Sequence, residues 1–258
     1  MFGSPDHTAY DLKFRLLDIP VRVHPLFWLI MAMLGGMHGQ PLRSVLIFIA
    51  CAFVSILVHE FGHGLSSRWL GREPGGIVLY SMGGFCYYDY QHQAPWKRVV
   101  VLLSGPGAGF GLFSLVLVAL KAGYGIDPMD SLASIGVGNG SIKGFAKMGP
   151  HLSMPMIEII QTLLWINLWW GLFNLLPIWP LDGGQITATV LGALNPVNGV
   201  RWGHVVSLLT AGGFAVWAAT RQDYMSALWV GSFAFMNYQI LQTMHDSYRS
   251  TRDSDWGR

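Results

Sequence analysis

The sequence predicts an all-α polytopic membrane protein of about six transmembrane helices, with a short β-hairpin between helices two and three. Three observations predict it. Of 258 residues, 52% are hydrophobic and only 12% charged, roughly half the charge of an ordinary soluble domain. The apolar residues arrive in blocks: Val45 to Val58 is broken only by Ser55, and Ile157 to Ile178 carries one charge, Glu158. A run of about 20 such residues crosses a bilayer. Finally, the connection from Gly71 to Pro95 holds short β-rich runs set around glycines.

Taken in order, residues 1–23 are polar and charged, with no apolar stretch before a small-residue cleavage site. They read as a cytoplasmic N-terminal segment without a removable signal peptide. Six apolar segments follow, at about 24–39, 43–70, 97–121, 156–178, 202–220 and 225–245. The first, bounded by Pro25 and Gly35-Gly36, is short enough to be tilted or partly interfacial. The membrane-embedded region is thus 24–245, and 246–258 a cytoplasmic tail. Between segments two and three, Ile77-Val78-Leu79-Tyr80 and Phe85-Cys86-Tyr87-Tyr88, joined through Gly83-Gly84, predict the hairpin. His92 just beyond it reads as a solvated loop histidine. The connection 122–155 is rich in Gly, Ser and Pro. It is too short for an inserted domain of about 50 residues and reads as an irregular loop.

Orientation follows from the cations. Lys13, Arg15, Arg22, Arg68, Arg72, Lys97, Arg98, Arg201 and the tail arginines fall on one side, against Arg43, Lys121, Lys143, Lys147 and Arg221 on the other. The excess places both termini in the cytoplasm of a multi-pass cell-membrane protein. A net charge of +2 with no basic stripe argues against nucleic acid. Two cysteines make no disulfide framework.

Near the cytoplasmic end of segment two stands His59-Glu60-Phe61-Gly62-His63. At about 100° per residue the two histidines share one helical face, one turn apart. Their imidazoles can hold one zinc ion, with Glu60 placed as general base for a water there. Ionisable groups within an apolar helix mark function by default. A catalytic zinc takes three protein ligands and keeps one position open. The candidate for the third is Asp182, after segment four, which the segment count returns to the face bearing His63. A helix cap before Gly183-Gly184 is its bland alternative. Asn174 is a polar amide near the same place, able to donate and accept. Its alternative is a helix–helix hydrogen bond.

His59-Glu60-Phe61-Gly62-His63 together with Asn174-Leu175-Leu176-Pro177-Ile178-Trp179-Pro180-Leu181-Asp182-Gly183-Gly184 resembles the site-2 protease family of intramembrane zinc metalloproteases. The resemblance covers roughly 19–195. It implies one Zn2+ held by His59, His63 and Asp182, Glu60 as catalytic base, and Asn174 on the substrate or developing oxyanion. It also implies regulated intramembrane proteolysis of transmembrane protein substrates within the lipid bilayer, and leaves a regulatory membrane partner open. Arg22-Val23-His24-Pro25 resembles the entry to that family's first helix, with His24 an interfacial residue. Ser104-Gly105-Pro106-Gly107-Ala108-Gly109 resembles a segment that an Asn often closes; Gly109 stands there, and close helix packing through Gly105 and Gly109 is the simpler reading. Many members carry a PDZ or nucleotide-sensing CBS domain; the sequence matches a minimal form without either. Competing readings are a CAAX-processing membrane metalloprotease, which would need a downstream glutamate ligand, and a catalytically inactive zinc-binding membrane scaffold or transporter.

Overall fold

A computed structural model describes residues 7–81, 83–88, 93–136 and 152–255. The chain is mostly helical, with one four-stranded sheet of order β1-β2-β3-β4. Strands β1 (Leu12–Leu16) and β2 (Ile19–Val23) form an antiparallel hairpin. Helices α1 (Pro25–Gly36) and α2 (Leu42–Trp69) then carry the chain to β3 (Pro74–Tyr80), which pairs parallel to β2. Strand β4 (Gly83–Tyr88) closes antiparallel on β3. Helix α3 (Pro95–Tyr124) and the short α4 (Pro128–Ser134) follow, then α5 (Met154–Asn174), α6 (Asp182–Leu194), α7 (Gly199–Thr220) and α8 (Tyr224–Asp255).

The structure departs from the sequence expectation in several places, helix α6 among them. The fold is not all-α with a lone hairpin, because residues 12–23 add two strands to the hairpin between α2 and α3. Six spans are not confirmed. Among the described residues, four helices are long and apolar enough to cross a membrane: α2, α3, α5 and α7. The 12 residues of α1 rise only about 18 Å, well short of an apolar bilayer core of about 30 Å. Helix α8 is long but is not among the four. Lastly, part of the 122–155 connection is helical, with Asp127 capping α4 through Met129 N–H at 2.9 Å. Residues 137–151 lie outside the described residues.

The chain divides into two compact units, residues 1–91 with 103–172, and residues 92–102 with 173–258. In the first, the inner sheet face (Ile19, Val21, Val23, Ile77, Leu79) packs on Phe27 and Met31 of α1 and on Ala52 and Ile56 of α2. Fully burying one of these large apolar side chains stabilises the fold by roughly 1.5–3 kcal/mol. The sheet is therefore fixed to the flank of α2. Helix α1 starts where the backbone N–H of Leu26 donates to His24 Nδ1 at 3.1 Å, with Pro25 in the first turn. Helices α2 and α5 run in the same direction. Arg43 at the start of α2 pairs with Glu158 at the start of α5 (3.3 Å), Cys51 Sγ lies 3.8 Å from Ile159 O, and Ser55 meets Asn167 further along. In the second unit α7 lies along α8, and α6 packs on α7. Outward-facing Leu46, Val54, Leu115, Val118, Leu209 and Val216 are exposed on the candidate spans. Such surface is a liability in water and ordinary in lipid.

Candidate metal centre

Helix α2 runs 28 residues without a break. Its interior is long enough to bury three ionisable side chains in succession. His59, Glu60 and His63 are only 5%, 4% and 6% exposed. The helical pitch stacks the two imidazoles one turn apart, and their Nε2 atoms approach to 3.1 Å. Two nitrogens each bound to one tetrahedral zinc would sit roughly 3.3 Å apart. A carboxylate oxygen of Glu60 joins them in one potential metal-holding group, all ligand atoms within 4.8 Å of one another.

The surroundings are shaped to leave this group room. Helix α3 passes the histidines at Gly105, where any Cβ would run into the Nε2 atom of His63 and come within 2.8 Å of that of His59. The space in front of both nitrogens is thus kept by the absence of a side chain. Gly62 of α2 lets the Ser104 carbonyl of α3 approach so closely that a Cβ there would overlap it. On the other side β4 reaches the acid at Gly84, where a Cβ would lie 2.6 Å from Glu60 Cγ. The residues present therefore fit a single metal ion: two converging imidazole nitrogens, an adjacent carboxylate and a cleared wall.

Sequence reasoning missed a support for the helix. Asn167 of α5 is buried and donates from Nδ2 to Ser55 Oγ at 2.8 Å, one turn before His59, and to Leu163 O at 2.9 Å. A Cβ on Gly109 would lie 3.5 Å from Asn167 Oδ1, an ordinary contact. The available signal was simple: Ser55 is the only polar residue in the Val45–Val58 run. Of the two glycines expected to pack closely, Gly105 does so, against the histidines, whereas Gly109 has room for a Cβ beside Asn167.

Asp182 and Asn174 belong to the second unit. Asp182 is the first residue of α6, with Leu181 in the N-cap position, and is buried at 7% exposure. A carboxylate suits the positive end of a helix. Gly183 and Gly184 leave no room for a Cβ: it would strike the Leu175 carbonyl at the first and the backbone of Ile178 and Trp179 at the second. Asn174, also 7% exposed, ends α5. His24 serves as a helix cap and sits edge-on to Tyr80 at 5.0 Å. His92 lies outside the described residues. The glutamates a CAAX-type site would draw on are engaged elsewhere, Glu73 with Arg68 at 3.0 Å and Glu158 with Arg43 at 3.3 Å.

Comparison with known proteins bears on the same region. The chain is 25% identical over 256 residues to the putative zinc metalloprotease sll0528 of Synechocystis, covering 92% of this chain and 59% of that protein. It is 26% identical over 186 residues to the zinc metalloprotease MJ0392 of Methanocaldococcus jannaschii, covering 70% and 46%. Stage IV sporulation protein FB of Bacillus subtilis is 24% identical over 176 residues, covering 67% and 48%. The chain thus spans 59% or less of the length of these relatives. In fold it is similar to the site-2 protease from Methanocaldococcus jannaschii, with a TM-score of 0.54 at 18% identity, over 90% of this chain and 95% of that one. A family model matches residues 47–214, more than half of the chain, from the helix that carries the histidines to beyond the Asp182 turn, and by that match the chain belongs to peptidase family M50.

Proposed function

We propose that this chain is an intramembrane zinc metalloendopeptidase that hydrolyses peptide bonds of membrane-spanning protein substrates, as in regulated intramembrane proteolysis. The observation that carries the reading is the buried pair of imidazole Nε2 atoms 3.1 Å apart beside Glu60, facing the bare wall at Gly105. His59 and His63 hold the metal, and Asp182 is the third ligand. The parallel run of α2 and α5 supports that assignment, since α5 heads toward the end of α2 that bears His63. Zinc, when bound, supplies a Lewis acid that polarises a peptide carbonyl and brings the pKa of water toward roughly 7.

The protein's own groups do the rest. Glu60 accepts the proton of the attacking water and returns it to the leaving amide nitrogen. Its burial at 4% exposure keeps bulk water from competing. The Asn174 amide donates to the developing oxyanion. Strand β4 is an edge of the sheet and touches Glu60 at Gly84. An unwound substrate segment pairs with that edge, which presents the scissile backbone extended. Residues 24–245 form the membrane-embedded metalloprotease domain, with the site, residues 1–23 and the 246–258 tail toward the cytoplasm; α1 and α8 enter the membrane together with the four candidate spans.

The test is Glu60→Gln in purified, zinc-loaded protein with a membrane-spanning reporter. Zinc content stays at the wild-type level and cleavage falls by at least about 100-fold, the lower range for losing a general base. Wild-type cleavage by that variant would remove Glu60 from the mechanism. It would also revive the inactive-scaffold reading if the wild type proved equally slow.

A further inference from the structure

Two buried polar side chains of the second unit converge on the backbone of one residue, and a third stands behind them. Ser207 and Asn237 are 0% exposed and His204 6%. The N–H of Trp179 donates to Ser207 Oγ at 3.0 Å, while the Ser207 hydroxyl donates to Gly203 O at 2.9 Å. The carbonyl of Trp179 accepts from Asn237 Nδ2 at 2.8 Å, and the second amide hydrogen goes to Phe233 O at 2.8 Å. With both its hydrogens given to carbonyls, Asn237 can only accept at Oδ1. The 2.8 Å contact with His204 Nδ1 is therefore a donation from the imidazole. The His204 ring also stands edge-on to the Trp179 indole at 5.6 Å.

Trp179 lies in the non-helical stretch between α5 and α6, three residues before Asp182. Backbone in such a stretch must be satisfied by protein when no water is at hand. Bonds to any nearby group would meet that need. Here α7 supplies one bond and α8 the other, at both polar atoms of the same residue. Downstream, little slack remains before Asp182. Leu181 N–H donates to Ile178 O at 2.8 Å, Gln185 Nε2 to Pro180 O at 3.1 Å, and Gly184 abuts the Trp179 amide without space for a Cβ.

We infer that Ser207 and Asn237, with His204 orienting Asn237, are positioning residues that fix Asp182 through the backbone of Trp179. The inference rests on the proposed reading of Asp182 as a metal ligand. Supporting partners of a metal site typically change affinity roughly 10- to 100-fold when lost. In this chain the support acts on the main chain leading to the ligand and not on its carboxylate.

The experiment measures zinc affinity by chelator competition, alongside the melting midpoint of the metal-free protein. The set is wild type, Asp182→Asn, Ser207→Ala, Ser207→Thr and Asn237→Leu. Asp182→Asn loses affinity, Ser207→Ala and Asn237→Leu each weaken zinc binding about 10- to 100-fold, and Ser207→Thr, which keeps the oxygen, binds like wild type. If Asn237→Leu cannot be purified folded, the Ser207 pair decides alone. Wild-type affinity in Ser207→Ala and Asn237→Leu, with affinity lost in Asp182→Asn, overturns the inference and leaves Asp182 as a ligand. Wild-type affinity in Asp182→Asn removes the underlying reading, and the inference falls with it.

Discussion

Gly105 carries a sharper constraint than its residue type announces. A methyl group there would occupy the space between the two histidine nitrogens, whereas one at Gly107, two residues along the same helix, would meet nothing within 4 Å. Gly105→Ala is therefore expected to lower zinc affinity by at least the roughly 10- to 100-fold that losing a support costs. Gly107→Ala should bind zinc as the wild type does. Equal affinities in calorimetric titration would mean the wall at Gly105 does not face the metal. The histidines and Glu60 were legible in the sequence because their chemistry needs a spacing of one helical turn, which leaves a trace in one line of text. Asn167 left no such trace, and Gly105 reads as a packing residue without its position against the histidines. Their partners lie on another helix, 112 positions away for Asn167 and Ser55, and only the fold brings them together.

At the level of elements, the long apolar helices were legible from their length and the hairpin from its glycines. The N-terminal strands were missed although their signal is present. Leu12-Lys13-Phe14-Arg15-Leu16 alternates with the period of a strand. The connecting turn uses Leu17 and Asp18, both at positive φ (51° and 61°), where Asn-Gly would have advertised it. Helix α6 was not among the expected segments; only the alternative reading of Asp182 as a helix cap pointed to a start there. The N-terminal hairpin also has an acid-sensitive tether. The Asp11 carboxyl is held at about 2, below its ordinary 3.8, first by the Thr8 hydroxyl and further by Thr8 N–H and Arg22, against the cost of its own burial. Arg22 Nη1 reaches it at 3.1 Å. A folded-state value below the unfolded one means the contribution is full above pH 3.8 and disappears as pH falls through about 2. Amide exchange across β1, corrected for its intrinsic pH dependence, should speed up over that interval, and Asp11→Asn should abolish the change. A pH-independent protection in the wild type would contradict the tether.

Across the whole molecule, an apolar exterior on four long helices and a polar interior on α2 are two sides of one arrangement. Lipid tolerates exposed Leu and Val side chains, and at the membrane depth proposed for the site, burial in protein is what would make His59, Glu60 and His63 tenable. The proposed orientation has a direct check in intact cells. Lys121→Cys, at the end of α3, should react with an impermeant thiol reagent added outside, and Lys13→Cys only after the membrane is opened. The reverse pattern would invert the topology. The central claim, that the α2 histidines hold a zinc ion, is tested most directly by X-ray absorption at the zinc edge on detergent-purified Glu60→Gln protein. The account predicts zinc with two imidazole nitrogens at about 2.0–2.1 Å, lost when His59 and His63 are both replaced by alanine. Absence of zinc, or a zinc environment unchanged by that double replacement, would contradict it.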